Sequence, residues 1–290
     1  MTIYTTSATT DIVEGSAGTR SLAELTLEVA KKLTNVAEGT ATGGNATTVI
    51  DTAAWGPGTS VGEANDYWNN GTIWMRSGLS IGKSRIITDW ASATWTWTFP
   101  TMTALNAAGD LYSVASKEYP RFLLIQGINA ALVEIGGLAL TAVLTTTVAN
   151  QEAYSVAAYN DVRAVEIAGS LTSPYGYTPI NDWYVKGTSL YFGQGNIPAV
   201  TGYNIRITYV AQPAELDDDT DTISDLIHQD LVVWPAVLYC LRWKMTRAAG
   251  NKPELQLNLA EAVAQAAIAK SKYLPAIALP RRKQARMSGL

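Results

Sequence analysis

One cysteine and one histidine in 290 residues leave little for chemistry. A lone Cys240 permits no internal disulfide, and in its apolar helical surroundings it reads as a small buried hydrophobe. Its presence alone fits assembly in a reducing cytoplasm. One histidine and one cysteine are too few ligands for a structural zinc site. A Ser-His-Asp triad could use only His228, and no Gly-x-Ser-x-Gly elbow accompanies it. His228 is therefore expected on a helix surface or at an interface. Phosphate loops are also missing. Gly78-Leu-Ser-Ile-Gly82-Lys83-Ser84 is one residue short of the required spacing and leads into a strand rather than a helix. No apolar run is long enough to span a bilayer. The first residues, MTIYTTSATTDIVEG, lack a basic region followed by an apolar run, so no secretory signal is expected there.

Charge is scarce as well. Charged residues are 16% of the chain, against about a quarter in ordinary globular proteins. The net charge of −4 gives no general reason to expect nucleic-acid binding. Few charges, with many Thr, Ala and Trp, suggest that much surface is buried against partners; a β-rich monomer would have the same composition. Hydrophobic residues at 47% suffice for one large domain or two small ones.

Residues 1–18 are rich in Thr, Ser, Gly and Ala and read as an extended arm. In 19–45, Leu22, Leu25, Val29 and Leu33 share one helix face. Ser21 with Glu24 three residues on forms a capping-box pattern, and the run Glu38 to Asn45 ends the helix. Residues 46–116 then change to short strands punctuated by Gly and Asn. Thr94-Trp-Thr-Trp-Thr-Phe99 alternates, with Trp95, Trp97 and Phe99 on one side. In 117–137, Pro120 opens a largely apolar helix that Gly136-Gly137 stops. Residues 138–212 return to strands at Val162–Ile167, Trp183–Val185, Leu190–Phe192 and Tyr203–Tyr209. Residues 213–274 read as a helix pair. The first helix starts at Thr220 or Asp221 and contains Pro235, where a kink is expected. Pro253 starts the second. Residues 275–290 form a basic tail. The expected fold class is α+β: a four-helix core with two inserted antiparallel β modules and an extended C-terminal tail.

Three stretches carry a resemblance to a known family. They are the helix Ser21 to Leu33; the Gly/Trp module with Asp66-Tyr-Trp-Asn-Asn-Gly-Thr-Ile-Trp74, Gly82-Lys-Ser-Arg-Ile-Ile-Thr-Asp89 and Gly109-Asp-Leu-Tyr112; and Asp221-Thr-Ile-Ser-Asp-Leu-Ile-His228 before the terminal helices. In this arrangement the chain resembles the adaptor, or head-completion, proteins of tailed bacteriophages. The resemblance implies an adaptor-like helical bundle and a structural, non-enzymatic role without cofactors. It also implies a dodecameric ring in the virion neck, assembled in the host cytoplasm. Its partners would be the portal protein and the next neck or tail protein.

Two charged clusters are candidate interaction sites. Asp217, Asp218, Asp219, Asp221 and Asp225, with Glu215 before them, could bind a hard cation, but the Gly and terminal Glu of an EF-hand loop are missing. The simpler reading is that acids favour a helix N-terminus; a further one is electrostatic pairing with a neighbouring subunit. Lys270, Lys272, Arg281, Arg282, Lys283 and Arg286 form a cationic C-terminal end. It could contact packaged DNA through phosphates, dock into a partner, or simply stay solvated. The family resemblance implies docking on the portal.

The leading expectation is a ring that extends the DNA channel beneath the portal and offers a platform to the next component. The rival is another virion component, a capsid decoration or tail-associated protein. A carbohydrate-binding or hydrolytic protein is the remote alternative. Its paired carboxylates cannot be placed across a cleft, and strand-alternating Trp95 and Trp97 read as core residues.

Overall fold

The computed structural model describes residues 20–33, 36–53, 64–104, 106–169, 176–248 and 252–273. The N-terminal arm and the basic tail, residues 275–290, lie outside these. Among the described residues the chain is β-rich. Fifteen strands form four antiparallel sheets, and there are four α-helices. This corrects the expected four-helix core with β excursions. The β regions carry their own cores, so they do not depend on a bundle for burial. The buried side chains fall into three clusters, and two of them are built from the β regions. The third cluster joins side chains of all four helices, but it also takes in Trp74, Ala115 and Leu138 from the β regions, so it is not the core of a separate bundle. The last helix packs chiefly on its predecessor and leaves Leu257 71% exposed.

The first helix, α1 (Leu22–Lys32), carries the capping box: Ser21 and Glu24 exchange side-chain-to-backbone hydrogen bonds. Its leucines and Val29 are buried. The stretch after it is strand rather than simple terminator. Strands β1 (Val36–Thr40), β4 (Thr72–Met75), β5 (Ser84–Ile86) and β8 (Leu111–Ala115) make one sheet in the order β1-β8-β4-β5. Strands β2 (Gly43–Asn45), β3 (Thr48–Ile50), β7 (Thr96–Thr98) and β6 (Asp89–Ala91) make a second in the order β2-β3-β7-β6. The run Ser84 to Trp90 thus leaves one sheet after Ile86 and joins the other at Asp89. Trp97 and Phe99 are buried as the alternation predicts, whereas Trp95 sits at φ 47° in the turn before β7. Trp90 and Trp97 lie ring to ring at 4.4 Å, and Trp97 lies 4.9 Å from Tyr112.

Strand β4 explains how this region meets the helices. It is buried on both faces. Because side chains alternate along a strand, Ile73 and Met75 enter the aromatic β core while Trp74 points into the helical cluster. Helix α2 (Arg121–Ile135) follows β8 and begins after Pro120. At its end Gly136 adopts φ 80°, a left-handed conformation in which only glycine escapes steric cost.

The next strands form two more sheets. Strands β9 (Leu138–Thr146), β11 (Val162–Ala168), β12 (Tyr177–Ile180) and β15 (Asn204–Ala211) lie in the order β12-β11-β15-β9. Strands β10 (Ala153–Ser155), β13 (Trp183–Lys186) and β14 (Ser189–Phe192) lie in the order β10-β14-β13. Trp183, Leu190, Ile205 and Ile207 fill the core between them.

Helix α3 (Asp230–Arg247) starts two residues past His228, not at Thr220 or Asp221 as the sequence suggests. The reason is a competing use of the backbone. Thr222 bridges to Ser21, and the Ile223 N–H donates to the Arg20 carbonyl, so this stretch is extended against the head of α1. Ile223 and Ile227 are nevertheless buried. Pro235 lies in the second turn of α3 and deprives the Leu231 carbonyl of its helical donor. Helix α4 (Pro253–Tyr273) returns along α3 and buries Leu255, Ala262, Ala266 and Ala269.

Candidate assembly interface

The acidic segment is built into the fold at several points. Asn129 of α2 clamps it: its side-chain amide donates to the Leu216 carbonyl at 3.1 Å, and its side-chain oxygen accepts the Leu216 N–H at 3.0 Å. The N–H groups of Asp217 and Asp218 both donate to the Asp221 carboxylate, each at 2.9 Å. These bonds stabilise the anion and hold the Asp221 pKa below its usual value. The carbonyls of Asp221 and Asp219 accept the N–H groups of Leu22 and Ala23 at 2.8 and 3.3 Å. Acidic residues do sit at a helix N-terminus, but at that of α1, where these N–H groups have no intrahelical partner.

The five aspartates therefore separate. Asp219 is buried and ion-paired with Arg121 at the head of α2. Arg121 also contacts Ser84 at 3.4 Å and lies 5.8 Å from the centre of the Trp74 ring. Burial lowers the Arg121 pKa to about 10, which leaves it charged at neutral pH. Asp221 is half-buried and engaged, while Asp217, Asp218 and Asp225 face solvent. Sequence reasoning missed Arg121 as the partner. The available signal was its position as the lone charge heading an otherwise uncharged run to Val133.

The cationic residues lie elsewhere. Lys270 pairs with Glu134 at 2.6 Å, tying α4 to the end of α2. Lys272 is exposed, with its ammonium 4.7 Å from the Tyr273 ring centre. The Tyr273 hydroxyl raises its pKa. Arg281, Arg282, Lys283 and Arg286 lie outside the described residues. The Tyr273 ring stacks on His228 with centroids 3.6 Å apart and planes 7° from parallel. His228 Nδ1 accepts the Asp230 N–H at 3.3 Å. The Cys240 thiol is buried, and desolvation pushes its pKa up to about 12, so it carries no thiolate at neutral pH. Among the described residues no group of three or more His, Cys, Asp or Glu side chains is placed to hold a metal ion. No helix among them is long and apolar enough to cross a membrane.

What these residues do is join elements and present surfaces, which is the work of a structural subunit. The chain belongs to the SU10 adaptor protein family, whose model matches residues 86–289. It is thus a tailed-phage adaptor, a structural component of the virion. The match begins in β5 and runs through both later sheets, α2, α3 and α4 into the basic tail; α1 and β1 to β4 lie before it. No curated protein matches the chain.

Proposed function

We propose that this adaptor assembles as a dodecameric ring in the virion neck, beneath the portal. There it extends the DNA channel and gives the next neck or tail protein its platform. The observation that carries this reading is the family match, which runs from the first β region to the tail. Ring closure needs a heterologous interface, with different patches meeting on successive subunits. Asp217, Asp218 and Asp225 are the acidic side chains exposed for such a contact, since Asp219 and Asp221 are engaged within the subunit. Lys272 and the tail residues Arg281, Arg282, Lys283 and Arg286 dock on the portal. Lys270 joins them by releasing Glu134, to which it is bound in the isolated chain. Contact of this end with packaged DNA would be through phosphates.

The test is imaging and mass photometry of the purified protein, alone and mixed with portal rings. Decoration of the portal, or free rings, is expected. Deleting residues 275–290 is expected to abolish decoration. A protein that stays monomeric and ignores portal rings would overturn the neck role in favour of a decoration or tail-associated one. A tail-deleted protein that still decorates the portal would overturn the docking role of the tail.

A further inference from the structure

An edge strand exposes a row of unpaired N–H and C=O groups, and proteins protect such rows by keeping the strand short or by placing charge or proline in it. The four sheets have eight edges, and seven are protected. Strands β2, β5, β6 and β10 are three residues long. Glu38 lies in β1, Lys186 in β13 and Pro179 in β12. Strand β9 is the exception. It runs nine residues, Leu-Ala-Leu-Thr-Ala-Val-Leu-Thr-Thr, with no charge, proline or glycine. Its inner side pairs with β15 from Leu138 to Val143 and again at Thr145 and Thr146, with a register shift at Leu144. Among the described residues no backbone hydrogen bond reaches its outer side. From Thr141 onward it is exposed or half-buried, and Val143 is 52% exposed.

An uncharged edge of this length is a template for β-augmentation, in which an added strand supplies the missing backbone partners. The chain itself contains a segment of matching chemistry. Within Thr2–Val13, nine of twelve residues are β-branched or aromatic, and Asp11 is the single charge. Such residues favour strands. Twelve residues suffice to cover a nine-residue edge. We propose that β9 is completed by residues 2–13 of a second copy of this chain, which adds a fifth strand to the β12-β11-β15-β9 sheet. This inference rests on the ring reading only in taking the donor from a neighbouring copy. The added strand would link subunits through main-chain hydrogen bonds, independently of the tail and of the exposed aspartates.

Two measurements test it, and neither uses the portal. In the first, a labelled peptide of residues 1–18 is titrated against protein lacking those residues. Saturable binding is expected, weakened tenfold or more by Val143→Lys or Thr141→Lys. These exposed positions put a charge beside the added strand, and unchanged unfolding midpoints establish that both variants fold. Absence of binding, or binding indifferent to both lysines, would overturn the proposal. In the second, cysteines at Tyr4, Thr5 or Thr6 are combined with cysteines at Thr141, Val143 or Thr145 in the full chain and oxidised. Covalent dimers and larger species are expected. Disulfides confined to single chains would overturn the second-copy donor, and no disulfide in any combination would overturn the pairing. A protein that forms these crosslinks yet ignores portal rings would sink the neck reading and leave this one standing.

Discussion

Arg121 and Asp219 close a buried ion pair between the head of α2 and the acidic segment, with side chains 10% and 3% exposed. Around the pair, Ser84 and Thr72 come from the first β region, and the Asp219 carbonyl holds the start of α1. One contact thereby joins four parts of the chain.

Breaking that pair from one side is expected to be costly. Asp219→Ala leaves the guanidinium buried without its counterion, and such removals cost about 3–5 kcal/mol. A double variant, Arg121→Met with Asp219→Leu, removes both charges and is expected to recover a large part of the loss. Urea unfolding of the wild type and the two variants checks this. A double variant no more stable than Asp219→Ala would show that the charges themselves, rather than the orphaned partner, set the stability.

Asp221 makes acid stability a local property. Its carboxylate is held below the usual pKa by the Asp218 and Asp217 N–H groups. A carboxyl depressed on folding stabilises the fold above its unfolded pKa, here about 3.9, and loses that contribution as pH falls through the lower folded value. The turn that caps α1 is therefore expected to loosen in that acidic window. Amide exchange at Leu22, whose N–H donates to the Asp221 backbone carbonyl, should accelerate as pH falls through that window relative to amides in the middle of α3. In Asp221→Asn this additional acid dependence is expected to vanish.

Much of the local structure is legible in the sequence because its determinants are local. Ser21 with Glu24, Pro120 with Gly136, and the Trp97–Phe99 alternation each fix an element with residues a few positions away. What is not legible depends on distant partners. The helical potential of 220–229 yields to pairing with Arg20 and Ser21, and nothing near Thr222 in the chain announces that. The architecture is misread for a related reason. Helical periodicity is conspicuous over 15 or 20 residues, while strands of three residues such as β2, β5 and β6 carry almost no pattern. Their Trp-rich core emerges only once Trp68, Trp90 and Trp97 are brought together from separate strands and turns. Of the acidic cluster, the sequence shows the charges but not the division between buried Asp219 and exposed Asp217 and Asp218.

Gly127 permits the close approach of α2 and α3. A Cβ placed there would lie 3.0 Å from the Ala236 carbonyl oxygen and 3.3 Å from its Cα. Alanine is the better helix former by about 1 kcal/mol, so Gly127→Ala would stabilise a free helix. Here the obstacle is the backbone of a packed helix, which cannot swing aside as a side chain can. Forcing the helices apart is expected to outweigh the propensity gain, for a net loss of about 1–3 kcal/mol. Thermal unfolding decides the sign, and a raised midpoint would show that the α2–α3 contact is softer than its spacing suggests.

The stack of His228 on Tyr273 fixes the point from which the basic tail departs. Tyr273 is the last residue of α4, and His228 lies just before α3. Stacked ring pairs contribute about 0.5–1.5 kcal/mol beyond their buried area, enough to decide whether a terminal turn frays. Tyr273→Ala is expected to raise amide exchange several-fold across Lys270–Tyr273 while leaving the middle of α4 unchanged. Tyr273→Phe keeps the ring and should preserve protection, although it removes the hydroxyl that raises the Lys272 pKa. If the tail docks on the portal from this anchor, Tyr273→Ala should also weaken portal decoration, with Tyr273→Phe close to wild type. Loss of decoration in both variants would instead assign the effect to the hydroxyl and Lys272. Intact decoration in both would place the anchor outside the docking step.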